Sequence, residues 1–66
     1  MGDRLRQARE EAGLTQEELS ALSGISRVTI SGLETGRITV TKTDTLTKIA
    51  DALQKSVSYI FFNSDV

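Results

Sequence analysis

The sequence predicts an all-α protein, a compact bundle of five short helices. Three observations predict it. Apolar residues recur at helical spacing, most clearly Leu46, Ile49, Ala50 and Leu53 at i, i+3, i+4 and i+7. Glycines break the chain at helix-length intervals, at Gly13, Gly24 and Gly36, and there is no proline. The one β-branched stretch, "RITVTKT" over residues 37–43, has no second strand to pair with and reads as an ordered loop.

The first helix is expected over Asp3–Ala12, with Leu5, Ala8 and Ala12 on one face and Gly13 as its stop. In the second, "LTQEEL" puts Thr15 at the N-cap and Glu18 three residues on, a capping box. Leu14 and Leu19 stand at the hydrophobic-staple positions, and Leu19 and Leu22 continue the buried stripe as far as the break at Gly24. Ser26 caps the third helix, which runs to about Thr35 and stops at Gly36. The connection between helices two and three is so short that they must cross steeply. Thr41 or Thr43 caps the fourth helix; the sequence does not choose between them. "SVSYIFF" makes a last short apolar helix before the polar tail "NSDV" at residues 63–66.

The totals narrow the function. A chain of 66 residues is expected to form a single domain over 1–66. At that length folding buries only about 60% of the unfolded chain's surface, so modest stability is expected. There is no cysteine and no histidine, which removes disulfides, thiolate metal sites and the commonest general base. Neither a metal nor a cofactor is expected. No apolar run approaches the about 18 residues of a membrane span, and "MGDRLRQARE" has no apolar core of a secretory signal. A soluble cytoplasmic protein is the expectation. The adjacent acids Glu10–Glu11 and Glu17–Glu18 point in different directions from helices and form no catalytic pair, and there is no Gly-rich phosphate loop, so no enzyme is expected.

The net charge is −1, but its distribution matters more than the sum. Between Ser26 and Thr43 the charges are Arg27, Glu34, Arg37 and Lys42, three cations against one anion. On a helical wheel of the third helix Ile30 and Leu33 point one way, with Ile25 leading in, and Arg27, Val28, Ser31 and Gly32 point the other. That outward face is short-chained and holds no lysine or glutamate. Duplex DNA fits such a face, because the major groove admits one helix. Arg27 can fork onto guanine O6 and N7, Val28 can meet a thymine methyl, and Ser31 can donate or accept. Gly32 then has two readings: it lets the backbone approach base edges, or it serves tight packing.

The stretch "TQEELSALSGISRVTISGLETGR", with "TLTKIADAL" further on, closely resembles the helix-turn-helix of the phage Cro and CI repressor family, the XRE family. The motif occupies about residues 16–35. Gln16 is its first residue, Ser20 the small residue at the helix crossing, Gly24 the turn, and Ile25, Ile30 and Leu33 its buried positions. The resemblance spans about Leu5 to Phe61. It implies a five-helix bundle of the lambda-repressor-like DNA-binding type, with the helix-turn-helix at helices two and three. It also implies a transcriptional regulator, most often a repressor, that binds double-stranded DNA as a homodimer on a two-fold symmetric operator. By the same resemblance Arg27, Val28, Ser31 and Gly32 stand at base-reading positions. Gln16, Ser26, Arg37, Thr39, Thr41 and Lys42 stand where relatives meet phosphates, and Arg9 and Glu34 where many place a salt bridge. The loop after the reading helix departs from common relatives in having no proline.

Helical spacing sends Val57, Ile60 and Phe61 inward and leaves Tyr59 or Phe62 outside. Relatives dimerise through this region, and Tyr59, Phe61 and Phe62 are its candidates for a dimer contact. The rival reading is a protein–protein interaction module, or a DNA-binding antitoxin of a toxin–antitoxin pair with a protein partner.

Overall fold

The computed structural model describes residues 2–39 and 41–62, and only the backbone of residues 2, 3 and 62. The polar tail at 63–66 and the Phe62 side chain lie outside the described residues. Four α-helices follow in order, α1 (Gly2–Glu11), α2 (Gln16–Ser23), α3 (Arg27–Thr35) and α4 (Thr43–Leu53), and then a π-helical turn, Ser58–Phe62. No strand occurs among the described residues. Helix α1 packs on α3 and on the π-helical turn, while α2 packs on α3 and α4.

The helix starts follow from local chemistry. Thr15 Oγ1 accepts from the Glu18 N–H at 3.0 Å, and Glu18 Oε1 accepts from the Thr15 N–H at 2.8 Å, so the capping box satisfies two otherwise orphan donors. Ser26 Oγ accepts from the Thr29 N–H at 3.2 Å and caps α3. The capping position of α4 falls to Lys42, between the two threonines, with no side-chain cap hydrogen bond. At the turn between α2 and α3, Gly24 takes φ 76° and donates its N–H to Ser20 O at 2.9 Å; a side chain there would be strained.

The core is aliphatic except for Phe61. Leu5, Leu19, Ile30, Leu33, Ile49 and Ile60 are fully buried, and Ala8, Leu46, Ala50, Leu53 and Phe61 complete the cluster. Three expectations need correction. Leu22 is 63% exposed, because α2 turns Gln16, Leu19, Ser20 and Ser23 toward the protein, and Leu22 falls outside that i, i+3, i+4, i+7 stripe. Ala12 is exposed, because α1 ends at Glu11 and Ala12 belongs to the turn. Phe61 is only 6% exposed, so its ring belongs to the core and is not available as a dimer contact.

Two side-chain clusters tie the helices together. Arg9 Nε donates to Glu34 Oε2 at 2.6 Å and Arg9 Nη2 to Glu34 Oε1 at 3.1 Å, a bidentate pair between α1 and α3. Arg9 Nη1 donates to Leu14 O at 2.7 Å, and Gln16 Nε2 donates to Glu34 Oε1 at 3.1 Å. The Arg9 and Glu34 side chains are 12% and 4% exposed. The hydrogen bond to Glu34 raises the Arg9 pKa above its ordinary value against the opposing effect of burial. In the second cluster two cations stand over the Tyr59 ring. The Arg4 guanidinium is 5.0 Å and the Lys55 ammonium 5.2 Å from its ring centroid, and Arg4 Nη1 donates to Tyr59 O at 3.3 Å.

The loop after α3 folds back on it. The Ile38 N–H donates to Gly32 O at 2.9 Å, and a Cβ built on Gly32 would lie 2.5 Å from Ile38 Cδ1 and 2.7 Å from Ile38 Cγ1. Gly32 is buried as a result. Ile38 is β-branched and stiff at χ1, so it has no easy rotation out of the way.

Two stability effects are expected. Glu34→Ala should cost about 3 kcal/mol, the low end for a broken buried pair, because Arg9 would keep only the Leu14 carbonyl. A shift in the urea midpoint worth less than about 0.5 kcal/mol would mean that the pair behaves as a surface one. Gly32→Ala should be destabilising by about 1 kcal/mol net, overpacking against Ile38 outweighing the gain in helix propensity. In an Ile38→Ala background the same change should become stabilising by about 1 kcal/mol, and a double-mutant cycle without that reversal would exclude the clash.

Candidate nucleic-acid interface

The outward face of α3 is built by the helix period on a buried support. Ile30 and Leu33 are fully buried, and Glu34 beside them is held by Arg9. That anchorage turns Arg27 and Val28 outward: Arg27 is exposed and Val28 is 66% exposed. Ser31 is half-buried, and its carbonyl accepts from Thr35 Oγ1 at 3.0 Å. Gly32 shares this side of the helix but is not open, because Ile38 covers it. Its missing side chain therefore makes room for the loop, and the reading of Gly32 as a bare point of approach to base edges is corrected to tight packing.

The expected phosphate-contacting residues fall into two groups. Arg37, Thr39 and Lys42 are exposed on the loop that follows α3, and Thr41 there is half-buried. Gln16 and Ser26 stand at the starts of α2 and α3 with their side chains already engaged. Gln16 donates to Glu34, and Ser26 Oγ accepts from the Thr29 N–H and donates to Thr29 Oγ1 at 3.0 Å. Backbone N–H groups of the first helical turn are the donors such positions leave over.

Burial also changes the charge balance. Glu34, the one acid between Ser26 and Thr43, is spent on Arg9 inside the protein. Among the described residues Arg27, Arg37 and Lys42 enter no ion pair, since the pairs present are Arg6–Glu10 and Arg9–Glu34. The segment from α3 through the loop thus presents cations to solvent although the chain as a whole carries −1.

Sequence reasoning missed Ile38 as part of this surface. The signal was an isoleucine in the β-branched loop "RITVTKT", six residues after a mid-helix glycine. It also missed Gln16 as a partner of Glu34, which only the fold brings together. Of the residues expected at a dimer contact, Tyr59 is 40% exposed, with Arg4 and Lys55 over its ring. Among the described residues no three His, Cys, Asp or Glu side chains group as a metal site requires, and no helix is long and apolar enough to cross a membrane.

Comparison with known proteins agrees with this geometry. The family model described as helix-turn-helix matches residues 5–60. The HTH-type transcriptional repressor RghR of Bacillus subtilis (strain 168) is 43% identical over 53 residues, a match covering 80% of this chain and 39% of that protein. The chain thus corresponds to well under two thirds of the relative's length. From the family match over most of its length, the chain belongs to the XRE-type, Cro and CI repressor-like helix-turn-helix family.

Proposed function

We propose that this protein is a sequence-specific DNA-binding transcriptional regulator, a repressor that sets α3 in the major groove of a two-fold symmetric operator as a homodimer. The observation that carries the proposal is the outward face of α3. It exposes an Arg27 that enters no ion pair among the described residues and a Val28 that is 66% uncovered, on a helix braced from behind by a buried ion pair. A groove of about 12 Å accommodates one helix and rewards such a mixed face with guanine acceptors and thymine methyls. The RghR relative is by its name a repressor, which favours repression over activation here.

In this reading Arg27 forks onto guanine, Val28 touches a thymine methyl, and Ser31 bonds a base edge. Arg37 and Lys42 supply charge to phosphates, with Thr39, Thr41 and the helix starts at Gln16 and Ser26 adding neutral contacts. Arg9 and Glu34 brace the reading helix and read nothing. The dimer contact lies around Tyr59 and Phe62. Residues 1–66 form one DNA-binding domain that acts in the cytoplasm, with no cofactor and no catalytic role in this reading.

In-vitro selection from random duplex DNA at near-physiological salt tests the reading directly. Enrichment of a two-fold symmetric motif with half-site centres about 10 base pairs apart is expected. No enrichment even at low salt would sink it. On the selected site Arg27→Ala should relax preference at one guanine per half-site by about 1–3 kcal/mol, and an unchanged preference there would remove Arg27 from the reading set. Lys42→Ala should instead weaken binding to all sequences alike and lower the log–log salt slope by about 1 per subunit. A change confined to one base position would contradict its phosphate role.

A further inference from the structure

Resting on the reading of α3 as a groove-facing helix, we propose that Ile38 is a specificity-determining residue. It takes the place of the side chain that Gly32 lacks, and it reads a thymine 5-methyl group. Occupancy carries the argument. Ile38 Cδ1 and Cγ1 fall 2.5 and 2.7 Å from the point where a residue-32 Cβ would stand, so the end of this loop side chain fills the volume in which a reading side chain would begin. That volume is on the outward side of α3. At 100° per residue, position 32 lies about 40° round the axis from Val28 and about 160° from the fully buried Ile30.

The chemistry of the position follows from its occupant. Ile38 is half-buried: it packs partly against the core, and the rest of its surface stays open. It carries no donor or acceptor, and the one apolar group that base pairs show in the major groove is the thymine methyl. Its placement is also fixed in advance. The 2.9 Å hydrogen bond from its N–H to Gly32 O and its β-branched χ1 hold the methyl-bearing end against the helix before any DNA arrives. Val28 and Ile38 then form two apolar contacts a helical turn apart, one from the helix and one from the loop, so that neighbouring thymines are read by different elements.

The test uses the operator found by selection, with each thymine singly replaced by deoxyuridine, which lacks only the methyl. Binding is measured for the wild type, Ile38→Val and Ile38→Ala. For the wild type, uracil at one thymine of each half-site should weaken binding about fourfold, the worth of one buried methyl. Ile38→Ala should show no loss at that thymine while keeping the loss at the thymine met by Val28. Ile38→Val, which removes only the Cδ1 methyl and spares the fold, should shrink the effect at the same thymine to less than about twofold. If both variants keep the wild-type dependence on every thymine methyl and merely bind more weakly, Ile38 only holds the loop and the inference is overturned. A wild type insensitive to every methyl overturns it equally. Failure of the DNA reading itself would show earlier and differently, as no selected operator at all.

Discussion

The arrangement of the first three helices depends on the Arg9–Glu34 ion pair. One carboxylate on α3 gathers donors from Arg9 on α1 and Gln16 at the start of α2, and the same guanidinium also holds the Leu14 carbonyl in the turn between them. Desolvation offsets much of the Coulombic attraction in such a buried pair, so its contribution is more directional than net stabilising. Direction is what this core lacks by itself. Its fully buried side chains are all aliphatic, and aliphatic contact has no preferred orientation. The bidentate fork supplies a directional link between α1 and α3 that aliphatic contact does not.

The same pair shapes the proposed interface without being part of it. By drawing Glu34 inward it removes the anion that would stand nearest to Arg37 in the sequence, and Arg27, Arg37 and Lys42 are left outside any ion pair among the described residues. Gly32 does comparable work for the loop. A proline-free connection is ordinarily freer in its unfolded form, yet here a backbone hydrogen bond and a side chain seated on a bare Cα hold it to the helix. Helix α3 and the loop that follows it therefore form one unit.

What was legible in the sequence was mostly local. The caps at Thr15 and Ser26 could be read because a capping hydroxyl and the N–H it satisfies are three residues apart. The stripe on α4 could be read because Leu46, Ile49, Ala50 and Leu53 repeat the helical period long enough to leave no choice of face. Leu22 was misplaced because α2 is barely two turns long, and its rotation is set by α3 and α4 and not by its own composition. Gly32 was placed on the correct side of its helix, but what covers it comes from a loop whose path no periodicity encodes. Phe61 was ambiguous for a similar reason: in a five-residue apolar turn, spacing alone does not say which large side chain closes the core. The roles of Arg27, Val28 and Ser31 depend on a partner's surface, and folding does not determine them.

The packing of α1 on the π-helical turn bears on how the chain is made. Ile60 and Phe61, in the turn that packs against α1, are made more than fifty residues after Leu5 and Ala8. At roughly 5–20 residues per second that is a delay of several seconds, during which α1 exists without its full cover. A nascent helix of this length is marginal on its own, so α1 is held chiefly by α3 until translation supplies the turn. Arg4, Arg6, Glu10 and Glu11 surround its short apolar stripe, and charges placed beside an apolar segment oppose its aggregation while it is uncovered.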